Sequence, residues 1–268
     1  MESTLERVRP VKPVAAYIGG KRSLAQRLVE RINATPHTLY AEAFVGMGGV
    51  FLRRTHRPRA EVINDWSADV ATLFRILQRH YVPFLEMLRF QLTSREAFDR
   101  LVRTDPSTLT DLERAARFLY LQRLAYGGKV NGRHFAMTPD RPPRFDVTRL
   151  QPMLEELHER LAGVLIERLP YADFIRRYDR PGALFFLDPP YMGGEEDYGA
   201  GLFSEADFEA LSSLLGGLQG RFILTINDVP RARELFGGFV VEPVGLQYRL
   251  AGRPTEAREL IVAGGGRV

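Results

Sequence analysis

The chain has 268 residues, enough to bury a substantial core as one large domain or as a domain carrying an insertion. Hydrophobic residues at 45% and charged ones at 26% are ordinary for a globular protein. The lack of cysteine excludes a disulfide framework and a thiolate metal site, and five scattered histidines show no zinc-binding spacing. A net charge of +4, carried mostly by arginine, fits a polyanionic partner; a polar N-terminus and the lack of any bilayer-length apolar run argue against a signal peptide and a membrane span, compatible with the cytoplasm.

Residues 1–13 read as a loose arm. Tyr17-Ile18-Gly19-Gly20-Lys21 then forms a Gly-Gly turn ahead of a helix predicted over 23–32, where Leu24, Leu28 and Ile32 recur at four-residue spacing. A cation at a helix start opposes the macrodipole, which suggests that Lys21 has a task. Strand signals at 38–44 and 61–63 and a helix at 68–77 give the alternation of a parallel sheet. From 81 to about 163 helical patterns dominate. The strongest runs from 112 to 126, with Ala115, Phe118, Leu121 and Ala125 on one face and Gly127-Gly128 as its stop. A looser stretch rich in Gly, Pro and Arg continues to Arg149. Alternation resumes at 164–168, 183–187 and 222–226, and two strands at 240–250 and 259–263 flank a Gly252-Arg253-Pro254 turn. The expected organisation is a discontinuous α/β domain, residues 1–79 and 161–268, interrupted by a mostly helical insert at 80–160.

Two strand ends carry chemistry. The apolar run 183–187 reads as a fully buried parallel strand and ends on Asp188-Pro189-Pro190-Tyr191. In open α/β sheets ligands bind beyond the carboxyl ends of the strands. Prolines stiffen the loop and donate no N–H, so a carboxylate, a bare carbonyl and a ring face come together. That set suits an exocyclic amino group on a flat heterocycle. The other end is Glu42-Ala43-Phe44-Val45-Gly46-Met47-Gly48-Gly49, whose glycines allow close backbone approach. Asp65 stands nineteen positions after Gly46, at the distance where an acid reaches ribose hydroxyls, although a plain helix N-cap is the bland alternative. No phosphate loop is present, so a nucleoside without a triphosphate fits better.

These motifs, in this order, resemble the Dam-like (D12 class) DNA adenine-N6 methyltransferases, and the resemblance spans about residues 14–263. It implies a Rossmann-like S-adenosylmethionine-dependent methyltransferase fold in which the insert recognises the target. By resemblance, Tyr17, Lys21, Phe44, Gly46, Gly48, Asp65 and Asp188 bind S-adenosylmethionine, and Asp188, Pro189, Pro190 and Tyr191 carry catalysis without a metal. The implied partner is double-stranded DNA, with no membrane and with room for a cognate restriction enzyme.

In the insert, Arg123, Lys129, Arg133, Arg141, Arg144 and Arg149 interleave with Tyr126, His134 and Phe135. Basic groups fix phosphate register, and Arg or Asn reads base edges. Arg123, Lys129, Asn131 and Arg133 are therefore the expected DNA contacts, separate from the cofactor side. Gly127-Gly128-Lys129 and Val130-Asn131 depart from the pattern of GATC-specific members and look closer to phage-type relatives. Two other readings stay open on sequence: a cytosine-N4 methyltransferase, which usually has Ser where Asp188 stands, and a catalytically silent DNA-binding protein on the same scaffold.

Overall fold

The computed structural model describes residues 5–136, 142, 144–194, 203–250 and 253–266. The described chain opens on a two-residue strand, β1 (Glu6–Arg7), and reaches its first helix at α1 (Ala25–Ala34). Strands β2 (Leu39–Glu42), β3 (His56–Arg57) and β4 (Ala60–Asn64) follow, and then α2 (Ala68–Arg79). The helical stretch holds α3 (Tyr81–Arg89), α4 (Arg95–Arg103), α5 (Asp111–Leu124) and α6 (Val147–Arg160). Alternation returns with β5 (Leu165–Glu167), α7 (Tyr171–Tyr178), β6 (Ala183–Leu187), α8 (Glu205–Gly216) and β7 (Arg221–Asn227). Helix α9 (Pro230–Phe236) leads into the hairpin β8 (Val240–Leu250) and β9 (Arg253–Gly265).

One seven-stranded sheet runs in the order β5-β4-β2-β6-β7-β9-β8. Its first five strands are parallel, β9 runs antiparallel to β7, and β8 pairs antiparallel with β9. Side chains alternate between faces with period two, and the two faces feed different cores. Leu184 and Phe186 of β6 join Tyr40, Ile63, Ile223 and Ile261 on the face covered by α1 and α2. Ala183, Phe185 and Leu187 join Leu39, Ala41, Phe222 and Leu224 against α7, α8 and α9. Every residue of β6 is buried, as its unbroken apolar run requires. The chain leaves β2 toward β4 on one side and returns to β6 on the other. The crevice between the carboxyl ends of β2 and β6 is thus the topological switch point, where such sheets bind ligands.

Among the described residues, the segment 81–160 is helical apart from short turns and the irregular stretch between α5 and α6, which holds an isolated bridge between Ala125 and Phe135. Its helices share one apolar cluster with α1, α2 and the sheet face, through Phe84, Phe98, Phe118, Leu121, Leu150 and Leu154. Helix α5 starts where Thr110 caps it: the Glu113 N–H donates to the Thr110 hydroxyl, and the Thr110 N–H donates back to the Glu113 carboxylate. It ends at Leu124, two residues before the expected limit, because Ala125 turns into the bridge with Phe135. Helix α6 is tied to the sheet by charge. Arg160 donates twice to Glu61 of β4 at 2.8 Å, and Arg54 donates to the same carboxylate at 2.6 Å, all three buried. Removing one member of such a buried group costs about 3–5 kcal/mol.

Two expectations need correction. The N-terminal arm is docked from its first described residues: β1 pairs with β3, Val8 N–H donates to Thr55 at 2.9 Å, and Val11 N–H donates to Leu52 at 2.7 Å. Val11 and Val14 are buried in the core, so apolar burial outweighs the prolines and charges around them. The last strand starts at Arg253, six residues earlier than its apolar run, because the hairpin ladder continues to the Leu250–Arg253 pair. Arg253 and Pro254 are thus in strand, and Gly252 lies outside the described residues.

Candidate active site

Three strand ends converge at the switch point. Val45 N–H donates to the Asn64 carbonyl at 3.0 Å and Ala43 N–H to the Phe186 carbonyl at 3.2 Å, which fixes the turn after β2 against both neighbours. Asn64 reinforces it, with Nδ2 donating to the Ala43 carbonyl at 3.0 Å and to the Leu169 carbonyl at 3.1 Å. Asp65 then accepts from Gly46 N–H on one oxygen and from Ser67 N–H on the other, both at 2.9 Å. The Asp65 carboxylate therefore braces the glycine turn and closes an Asx turn onto Ser67, the residue before α2, rather than capping the helix, besides lining the site. Burial raises its pKa to about 6 against these two bonds. Gly46 has φ +50°, and a Cβ there would meet the Tyr17 ring at 3.0 Å, so only glycine lets this ring lie on the turn.

Beyond these ends lies a cavity of about 1050 Å³. It is lined by Tyr17, Lys21, Phe44, Gly46, Asp65 and Asp188 from the sequence expectation. Gly48 does not line it; a Cβ there would sit 2.7 Å from Leu52 Cγ, so this glycine serves packing beneath the turn. Of the Asp-Pro-Pro-Tyr residues, Asp188 and Pro190 line the cavity, while Tyr191 meets it through Lys21. Pro189 is buried, and its carbonyl accepts no hydrogen bond from the described residues. Sequence reasoning missed the aromatic wall. Phe44, Tyr171 and Phe203 form a triangle with centroids 5.4–5.8 Å apart, and Tyr171 OH donates to the Asp207 carbonyl at 3.1 Å. It also passed over Trp66, half-exposed on the rim beside Asp65.

Lys21 proves to be the partner of Asp188. It is only 3% exposed, and its Nζ donates to Asp188 Oδ1 at 2.7 Å and to the Gly19 carbonyl at 2.9 Å. The ammonium stands 4.5 Å from the Tyr191 ring centroid, a cation–π contact. Thr225 of β7 donates its hydroxyl to the same Asp188 oxygen at 2.8 Å. Burial pushes the Asp188 carboxyl up, while the ammonium and the hydroxyl pull it back. Glu42, at the end of β2, is a second buried acid on the cavity wall. Burial raises its pKa to about 8; the Tyr40 hydroxyl donating at 2.5 Å opposes the shift and the nearby Asp188 charge adds to it.

The four expected DNA contacts separate by exposure. Lys129 and Asn131 are exposed, whereas Arg123 and Arg133 are partly buried. Arg123 donates to the carbonyls of Val14 at 2.9 Å and Arg144 at 2.8 Å and also lines the cavity. Arg133 donates to Gln122 at 3.4 Å, near the Phe118 ring. Arg144 and Arg149 are exposed, and Arg141 lies outside the described residues. Nor is this side separate from the cofactor side: Ile18 N–H donates to the Gly128 carbonyl at 3.1 Å.

A mostly parallel α/β sheet with a buried carboxylate, a glycine turn and a cavity at its switch point is the setting in which enzymes of this architecture bind their ligands. Residues 17–249 match the D12 class N6 adenine-specific DNA methyltransferases, and the chain belongs to that family. It is 21% identical to the type II methyltransferase M.CviBI of Paramecium bursaria Chlorella virus NC1A, over 89% of this chain and 92% of that one. It is 24% identical to the type II methyltransferase M1.LlaDCHI of Lactococcus lactis subsp. cremoris, over 87% of each. Identity to the DNA N-6-adenine-methyltransferase of Escherichia phage P1 is 27%, over 91% of this chain and 34% of that one. The protein is an adenine-specific DNA methyltransferase by family, which favours adenine N6 over the cytosine-N4 reading.

Proposed function

We propose that the cavity holds S-adenosylmethionine and the target adenine side by side, the cofactor on the β2–β4 side and the base at Asp188. The observation that carries this is the convergence in one cavity of the Gly46–Asp65 brace and Asp188. The residues present fit the cofactor. Tyr17, Phe44 and Trp66 offer ring faces for a purine, and each Asp65 oxygen keeps a lone pair for a ribose hydroxyl. When bound, the cofactor supplies a methyl group already activated on a sulfonium.

The N6 lone pair of adenine is delocalised into the ring and is a poor nucleophile. Asp188 and the Pro189 carbonyl accept its two N–H bonds and draw the nitrogen toward tetrahedral geometry. As the nitrogen gains the methyl group, with the broken bond's electron pair left on sulfur, positive charge grows on it; the Asp188 carboxylate stabilises that charge until one N6 proton is lost to solvent. Tyr191 stacks on the ring. Holding the reactants in line supplies several kcal/mol of the barrier reduction. A paired adenine cannot present this face, so the base flips out of the duplex. Lys21 favours the charged form of Asp188 against its burial before the base arrives, and moves off Oδ1 as the amino group takes that acceptor.

Residues 80–160 act as the recognition insert, with Arg123, Lys129, Asn131 and Arg133 on DNA, in a recognition segment nearer to phage-type members than to the GATC-specific ones. A cognate restriction enzyme and a cytoplasmic setting accord with this role. The transfer draws on no metal.

Calorimetry with S-adenosylmethionine, without DNA and with chelator present, tests the cofactor half. Wild type binds, and Asp65→Ala weakens binding about 10-fold or more, the loss of one charge-assisted hydrogen bond. No binding by wild type, or equal binding by the variant, counts against the assignment.

A further inference from the structure

The recognition loop and the cofactor turn meet at one side chain outside the chemistry above. Gln122, in the last turn of α5, is 1% exposed. Its Nε2 donates to the Ala16 carbonyl at 2.9 Å and to the Gly128 carbonyl at 2.5 Å, and its Oε1 accepts from Arg133 at 3.4 Å. The Gly128 carbonyl also accepts from Ile18 N–H at 3.1 Å. Gly128 has φ +71°, and a Cβ there would lie 2.9 Å from the Ala16 carbonyl carbon and from Tyr17 N. The loop backbone therefore rests directly on the backbone of residues 16–18.

Both sides of this contact lead to function. On one side, the loop is closed at its base by Tyr126 N–H donating to the His134 carbonyl at 3.0 Å and Ala136 N–H donating to Leu124 at 2.7 Å. A shift of the loop thus reaches Gly128 with little slack. On the other side, the Tyr17 ring packs on Gly46, and the turn continues into Lys21 on Asp188. A buried carboxamide that bridges two carbonyls from different segments fixes their relative position, and it can do so in only a few arrangements.

We propose that Gln122 is a positioning residue that couples DNA binding to cofactor binding. Contact of the 127–135 loop with DNA sets the Gly128 carbonyl. Gln122 and the Ile18–Gly128 bond then carry that setting to Tyr17 and Lys21. The proposal rests on the reading that the cofactor lies against Tyr17 and that this loop meets DNA. By linkage, DNA tightens the cofactor by the same factor that the cofactor tightens DNA.

The test uses S-adenosylhomocysteine, which cannot be turned over, and a duplex carrying a site found by methylation sequencing of plasmid DNA. Its dissociation constant is measured with and without the duplex for wild type, Gln122→Leu and Gln122→Glu. The first variant deletes the amide; the second sets an acceptor against two carbonyls. The duplex tightens wild type about 5-fold or more, and the factor falls to about one in both variants while each ligand alone still binds. A factor unchanged by the substitutions, or a wild-type factor of one, overturns the proposal. Failure of wild type to bind the probe at all overturns the functional reading and the proposal together. Hydrogen exchange on wild type asks the same question without substitution: the duplex alone protects the amides of residues 16–18, and unchanged exchange there overturns the coupling.

Discussion

Asp188 is held on one oxygen by a buried ammonium and a hydroxyl, while burial works against its charge. Asp188→Ala would strand Lys21 without its counter-ion, a destabilising change, so Asp188→Asn is the cleaner probe. It keeps an acceptor but loses the charge that stabilises the transition state. Single-turnover rates fall more than about 100-fold with the cofactor still bound, and near-normal rates would remove Asp188 from its role. Glu42 carries a pH signature instead. Its folded pKa of about 8 stands above the ordinary 4.5. Between those values the unfolded chain has released this proton and the folded chain keeps it. The contribution is thus full below the unfolded value and is lost as pH rises through the folded one. Glu42→Gln removes that slope, so against wild type it gains stability between pH 5 and 8, by on the order of 2–4 kcal/mol at the upper end. Melting temperatures of both proteins across that range check it; parallel curves would mean that Glu42 is ionised throughout.

At the level of elements, strands and helices were legible where burial is one-sided or complete. The run at 183–187 is β6 to the residue, and the face of Ala115, Phe118 and Leu121 is the buried side of α5. Lys21 was flagged by its place before a helix, yet its partner Asp188 is far along the chain, so the ion pair could not be read. The aromatic wall stayed hidden for a related reason. Tyr171 and Phe203 come from segments far from Phe44, and alone each looks like an ordinary core ring. Gly46 and Gly48 look alike in sequence, and only the contacts around a missing Cβ tell cavity from packing. The loop after α5 has its own prediction. Lys129→Ala, at an exposed cation, weakens DNA binding at all sequences and lowers the salt slope by about one. Asn131→Ala relaxes specificity at one position, with about 1–3 kcal/mol lost for the preferred base. Salt titration and methylation-site sequencing distinguish these, and two variants indistinguishable from wild type would make the loop a solvated surface.

On the scale of the whole molecule, the helical segment and the sheet share one core and one buried Glu61–Arg54–Arg160 group. The arm at Val14, the α5 end and the loop at Gly128 also bond to Arg123, Ala16 and Ile18, which line the same cavity. The helical segment and the sheet are thus parts of one packed body, and the net charge of +4 favours its approach to DNA. The proposed reaction places a methyl group on the N6 nitrogen of adenine in DNA within this cavity. Unmodified DNA incubated with the purified protein and S-adenosylmethionine carrying a deuterated methyl group, then digested to nucleosides for mass spectrometry, tests it most directly. Wild type puts the label in N6-methyldeoxyadenosine, and Asp188→Asn leaves almost none there. Label in N4-methyldeoxycytidine, or equal label from both proteins, would contradict it.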